Sequence, residues 1–264
     1  MENLQSDHLD TQNLYRDMQK RTGGEIYIGV VGPVRTGKST FIKRFMDVAV
    51  LPYMEDAAQK TRAQDELPQS AGGRTITTTE PKFIPQEAVE LKLAGEVTIR
   101  VRLVDCVGVV VEGAAGHLED GAERLVKTPW YDHEIPFTQA AELGTRKVIT
   151  DHSTIGIVVT TDGSFSDLPQ ETYLDAENQA ISELKKLHKP FLVLVNSSHP
   201  SSRTAREAAE RIEKQHSVAA MPVNCAQLSE EDIRQIMEQI LYEFPVSRVE
   251  FYMPKWVEML PPSH

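Results

Sequence analysis

Eight residues, Gly32-Pro33-Val34-Arg35-Thr36-Gly37-Lys38-Ser39, followed by Thr40, fit G-x-x-x-x-G-K-[ST] and leave this chain few folds to choose from. An apolar, β-branched run, Ile26 to Val31, leads into them, and Phe41-Ile42 and Phe45-Met46 follow at helical spacing. The physics needs that order of strand, glycine turn and helix. Glycines at 32 and 37 can take backbone angles that a Cβ penalises. Backbone N–H groups from Gly32 to Thr40 can then face phosphate oxygens, and the helix N-terminus adds partial positive charge. Lys38 brings a full charge to the β- and γ-phosphates, and the Ser39 hydroxyl is placed to hold Mg²⁺. The competing reading is an ordinary glycine-containing turn between strand and helix. A full match in this context favours a nucleoside triphosphate site.

A second motif, Asp105-Cys106-Val107-Gly108, ends the apolar run that closes with Val104. An aspartate there can hold Mg²⁺ through a water, and Gly108 can offer its N–H to the γ-phosphate. Thr77, Thr78 and Thr79 lie between the two motifs, where GTPase-like proteins keep their first switch. A threonine there can ligate Mg²⁺ and sense the γ-phosphate, although three adjacent threonines also fit plain β-propensity. Ser39, Thr79 and Asp105 form the expected metal set. Lys38, Thr78, Thr79, Asp105 and Arg35 form the expected catalytic set.

Three departures from a switch GTPase stand out. The run Phe191–Val195 should end in N-K-x-D, whose aspartate grips guanine, but it ends Asn196-Ser197-Ser198-His199. Asn196 survives as a nucleotide-site candidate, while the guanine donors lose their carboxylate partner, which favours adenine. The residue after Gly108 is Val109, not the glutamine that orients the attacking water, so slow turnover is expected. Arg35 stands where many related GTPases carry an asparagine that binds potassium, and it reads as a cation built into the loop. The alternatives are an arginine turned to solvent or to a neighbouring acid, or one that reaches the nucleotide of an adjacent subunit. Two rivals remain: a guanine-nucleotide switch, and a scaffold that holds nucleotide without hydrolysing it.

Across the 264 residues, hydrophobic content of 40% and charged content of 25% are those of an ordinary globular protein. The net charge of -11 argues against nucleic acid as a partner. No apolar run is long enough to span a bilayer, and Met1 to Asp7 lack signal-peptide character. A cytosolic location is the expectation. Cys106 and Cys225 read as buried apolar residues rather than a disulfide.

Residues 1–24 read as a polar lead-in with a short helix around Leu14 and Met18, 25–243 as the nucleotide-binding domain, and 244–264 as a tail leading into further domains. Within the domain the patterning predicts strands at 25–31, 82–84, 89–93, 97–104, 155–161, 191–196 and 219–225. Helices are predicted at 39–50, 137–151, 171–188, 201–216 and 229–242. Residues 53–74 read as a solvated connection and 109–136 as a long functional loop. This alternation implies a P-loop NTPase of the GTPase-like (TRAFAC-type) α/β class. Its sheet is mostly parallel, with helices on both faces and one antiparallel edge strand.

Several idiosyncratic runs add a resemblance. They include Arg62-Ala63-Gln64-Asp65-Glu66-Leu67-Pro68-Gln69-Ser70, Thr78-Thr79-Glu80-Pro81-Lys82-Phe83, Thr128-Pro129-Trp130-Tyr131 and Gly144-Thr145-Arg146-Lys147-Val148-Ile149. With the loop and Leu103-Val104-Asp105-Cys106-Val107-Gly108, they resemble the stage IV sporulation protein A family from about Arg21 onward. The resemblance implies a spore-coat morphogenetic ATPase that assembles into a static shell on the forespore surface, in the mother-cell cytosol. It also implies ATP and Mg²⁺ as cofactors, Lys38 for nucleotide binding, Asp105 as the Walker B acid, and Thr78 and Thr79 as sensors. The implied partners are further copies of the full-length parent, a small amphipathic membrane-anchoring peptide and other spore-coat proteins. Family members run well beyond this length, so assembly is expected to need regions outside this chain.

Overall fold

A computed structural model describes residues 14, 16–68, 81–93, 97–111, 118–119, 122–128, 131–165 and 168–245. Six strands form the central sheet: β1 (Glu25–Val31), β2 (Lys82–Leu93), β3 (Val97–Asp105), β8 (Ile155–Thr161), β9 (Phe191–Asn196) and β10 (Ala220–Val223). Their order is β10-β9-β8-β1-β3-β2. Every pairing is parallel except β2 with β3, which puts the antiparallel strand at the edge as expected. Every residue of β8 and β9 is buried, which is why both read as unbroken apolar runs.

Two apolar clusters fill the two faces. One face packs β1, β3 and β8 against α1 (Lys38–Phe45) and, through Ile233, Ile236, Met237 and Ile240, against α6 (Glu230–Tyr242). The other carries α4 (Leu174–Lys186) and α5 (Arg203–His216), whose alanines 176, 180, 208 and 209 let them lie close to the sheet. Ser229 and Asp232 form the anticipated capping box at the start of α6.

The sequence reading needs correction in four places. Residues 16–22 form the helix expected there, but Leu14 and Met18 sit in the main core, so this stretch packs as part of the body rather than as a lead-in. The Gln19 side chain donates to the Thr98 carbonyl at 2.9 Å, tying it to β3. Residues Ala57–Asp65 form helix α2, capped by Asp56, whose carboxylate accepts from the N–H groups of Ala58 and Gln59. Only Ala63 of α2 is buried, so no apolar periodicity announces it. The runs 82–84 and 89–93 are one strand, β2, with a register shift between Ile84 and Val89. Its connection to β3, read as a hairpin turn at Ala94-Gly95, lies outside the described residues.

The fourth correction concerns residues 109–136. Among the described residues of this stretch there are two small antiparallel ladders, β4 (Leu118–Glu119) with β5 (Ala122–Glu123), and β6 (Leu125–Thr128) with β7 (Tyr131–Pro136). They feed directly into α3 (Phe137–Lys147). The alternation in β6 is too short to register as a strand without its partner.

Candidate nucleotide-binding site

The sheet's carboxyl edge assembles the site because the registers align strand ends. Val30 pairs with Asp105, Val31 with Val158, and Thr161 with Asn196. Beyond β1 the chain turns through the glycine loop, and Gly37 caps α1 at φ 100, in the left-handed region. A Cβ there would also run into the Asn196 amide. The Thr36 hydroxyl, fully buried, lies 2.6 Å from the Val159 carbonyl and 2.9 Å from that of Pro33. The loop is thus bolted to β8 on one side and to β9 on the other.

Lys38 is 6% exposed, and its ammonium donates to the carbonyls of Pro33 at 2.6 Å and Gly32 at 3.3 Å. Burial lowers its pKa to about 8, against the opposing pull of Asp105 and Cys106. Ser39 donates its hydroxyl hydrogen to Asp105 Oδ2 at 2.6 Å. Burial raises the Asp105 carboxyl pKa, while the Ser39 hydrogen bond and the Lys38 and Lys82 charges restrain the rise. Pro33 and Val34 are buried, and Arg35, Ser39 and Thr40 are half-exposed along the loop and first helical turn. Gly108, at φ 92, lies directly against the Lys38 ammonium.

Asn196 ties the loop to the end of the neighbouring strand β10. Its Nδ2 donates to the Thr36 carbonyl at 2.9 Å, and its Oδ1 accepts from the Cys225 N–H at 3.0 Å. Both ends of the amide are committed to backbone, so Asn196 holds the loop against the start of the β10–α6 connection. Thr77, Thr78 and Thr79 lie outside the described residues.

Two features escaped the sequence reading. Val109 donates its N–H to the Gly32 carbonyl at 3.0 Å and accepts from the Val34 N–H at 2.9 Å, a parallel bridge that docks the acidic motif onto the loop. Backbone pairing of this kind leaves no side-chain signature. Ser164, after β8, accepts the Ser198 N–H at 2.8 Å through its hydroxyl, while Ser197 accepts the His199 N–H at 3.0 Å. The segment standing where N-K-x-D would be is braced by a serine from another loop, which no local pattern reveals. Cys106 and Cys225 are free and buried, and burial pushes Cys225 up to about 12.

Ser39 and Asp105 offer two hard oxygen donors in contact, a set that suits Mg²⁺, which binds one or two protein oxygens and fills its octahedron with water and phosphate. Among the described residues no group of three or more His, Cys, Asp or Glu could hold a metal. No helix among them is long and apolar enough to cross a membrane.

A glycine loop between β1 and α1, faced by a strand-end aspartate and lying at the carboxyl edge of a parallel sheet, defines a P-loop NTPase of GTPase-like topology. The model of the family described as "Stage IV sporulation protein A, ATPase domain" matches residues 9–245, and this chain belongs to that family. Stage IV sporulation protein A of Clostridioides difficile (strain 630) is 50% identical over 252 residues, covering 96% of this chain and 51% of that protein. Its namesake in Bacillus subtilis (strain 168) is 44% identical over 256 residues, covering 97% of this chain and 52% of the relative. The chain therefore spans about half the length of the curated relatives it matches. Among solved structures, the FeoB G-domain from Methanococcus jannaschii is similar at 12% identity and a TM-score of 0.41, over 83% of this chain and 98% of that one.

Proposed function

We propose that this chain binds ATP with Mg²⁺ and hydrolyses it slowly, as the ATPase domain of a spore-coat morphogenetic protein. In that reading, hydrolysis drives polymerisation of the longer parent into a static shell on the forespore surface, in the mother-cell cytosol. The observation that carries it is the convergence of Lys38, Ser39 and Asp105 on one sheet edge, with Ser39 and Asp105 in contact at 2.6 Å. Lys38 and the loop amides would bind the β- and γ-phosphates, Ser39 and Asp105 would hold Mg²⁺, and Gly108 would contact the γ-phosphate. Bound Mg²⁺ supplies charge neutralisation between the phosphates.

Adenine is preferred because Asn196-Ser197-Ser198-His199 offers no carboxylate to the guanine edge. Slow turnover follows from Val109, which is buried and bridged to the loop where a water-orienting glutamine would stand. Thr78 and Thr79 are the proposed water-positioning and sensing residues, with Thr79 on the metal. Self-association of the parent, a small amphipathic membrane-anchoring peptide and other coat proteins belong to the same reading as partners.

The test is competition between ATP and GTP for Mg²⁺-dependent binding to the purified chain, with phosphate release followed in parallel. ATP should win and be hydrolysed slowly. A preference for GTP would return the guanine switch, and binding without single-turnover phosphate release would return the scaffold.

A further inference from the structure

Between α4, α5 and the sheet lies a small polar cluster in apolar surroundings. Its centre is Glu177 of α4, a carboxylate only 1% exposed. Thr160 of β8, fully buried, donates its hydroxyl hydrogen to Glu177 Oε2 at 2.7 Å. Arg211 Nη1 of α5 lies 2.8 Å from Glu177 Oε1. The ion pair is poorly made for stability. Among the described residues neither Glu177 Oε1 nor Arg211 Nη2, both buried, has a hydrogen bond, where a two-pronged fork would satisfy both. Apolar residues of similar size hold helices together as well as a buried pair of this kind, or better. Ala176, Ala180, Ala208 and Ala209 already seat α4 and α5 on the sheet.

The place of Glu177 in the fold supplies another role. One loop runs from β8 to α4, and a second runs from β9 to α5. Glu177 joins three of those four elements, and the fourth, β9, is paired with β8, Thr161 opposite Asn196. The two loops meet where the Ser164 hydroxyl accepts the Ser198 N–H at 2.8 Å. They carry Ser197-Ser198-His199, the residues that stand where N-K-x-D would be. We propose that Glu177, held by Thr160 and Arg211, is a positioning residue that fixes these two loops against the purine ring of the nucleotide. This rests on the nucleotide reading above.

The phosphate loop has ties of its own. The Thr36 hydroxyl bonds to the Val159 carbonyl and the Asn196 amide to the Thr36 carbonyl, both on strands held within the sheet. The loops after β8 and β9 are fixed at one end by a strand and at the other by a helix, so a helix that slides carries its loop along. Apolar contacts tolerate such sliding, whereas a buried carboxylate is satisfied only where its hydroxyl and guanidinium stand. Removing Glu177 leaves α4 and α5 joined elsewhere. Gln215 Nε2 donates to Asn178 Oδ1 at 3.2 Å, and Lys185 donates to the His216 carbonyl at 2.5 Å.

The test combines Glu177→Met with Arg211→Met, which puts apolar side chains of similar length in place of the pair. Displacement of a fluorescent ATP analogue from the whole chain with Mg²⁺, by ATP or by inorganic tripolyphosphate, is measured beside Tm. The double variant should melt no lower than the parent and bind tripolyphosphate as the parent does. Its ATP affinity should fall about tenfold, the scale of one or two hydrogen bonds to the base. Thr160→Val, which cuts the link to β8, should show the same selective loss, and Thr160→Ser, which keeps the hydroxyl, should restore parent affinity. Should the double variant fail to fold, Thr160→Val decides by the same two affinities. ATP affinity at the parent level, or equal losses for ATP and tripolyphosphate, would overturn the proposal. A parent chain that binds neither would overturn the nucleotide reading instead.

Discussion

Ser39 and Asp105, 66 positions apart in the chain, meet in a 2.6 Å hydrogen bond at the mouth of the glycine loop. If they share one Mg²⁺, losing either oxygen should weaken nucleotide binding only when metal is present. Ser39→Ala and Asp105→Asn should each reduce Mg²⁺-dependent ATP affinity about tenfold or more, the scale of a lost charge-assisted contact. Titrations with Mg²⁺ and with EDTA check this. Equal losses in both buffers would make the pair structural.

Lys38 gives a pH dependence whose sign can be worked out. Its folded pKa, lowered to about 8, lies below the ordinary 10.5, so burial disfavours the charged form. Below pH 8 both folded and unfolded chains hold the proton, and the burial penalty is fully present. Between about 8 and 10.5 the unfolded chain binds more protons, so this group makes the nucleotide-free protein more stable as pH rises. Binding runs the other way, because triphosphate needs the ammonium. Affinity should fall about tenfold per pH unit above 8, and Lys38→Arg should flatten that fall. A parent affinity that stays level to pH 10 would contradict the site.

Asn196→Ala should act through the loop rather than through the base. It leaves the Thr36 carbonyl and the Cys225 N–H without their partner, costing about 1–3 kcal/mol. A lower Tm and weaker binding of ATP and GTP alike are expected. A changed ATP-to-GTP preference at unchanged Tm would restore a direct base contact.

Thr78→Ala combined with Thr79→Ala should keep ATP bound and stop hydrolysis. Lys38 and the loop supply ground-state binding, whereas the first switch is expected to act on the γ-phosphate and its water. Turnover at the parent rate would remove both threonines from the mechanism.

Arg35 adopts φ 64, a left-handed conformation that costs a non-glycine residue roughly 1–2 kcal/mol. Strain retained in a phosphate loop motivates a role for the guanidinium as a built-in cation at the transition state. Arg35→Asn should lower hydrolysis, make it partly potassium-dependent and leave ATP affinity little changed. Undiminished hydrolysis in sodium buffer would sink the idea.

The loop, the strand-end Asp105 and the mostly parallel character of the sheet were legible because each follows from local pattern and from the alternation of strands with helices. Gly32 to Ser39 follow one another, and the buried strands β8 and β9 announce themselves as apolar runs. Helix α2 and the β6–β7 hairpin were not legible: the first is held by an Asp56 cap with almost no buried face, and the second by a cross-strand partner. Least visible were the ties that shape the site. Asn196 to Thr36, Thr36 to Val159 and Val109 to Gly32 all end on backbone atoms, which are the same whatever the residue. The order of residues along the chain can therefore announce a phosphate loop, but what braces that loop depends on which strand ends the fold brings within hydrogen-bond reach.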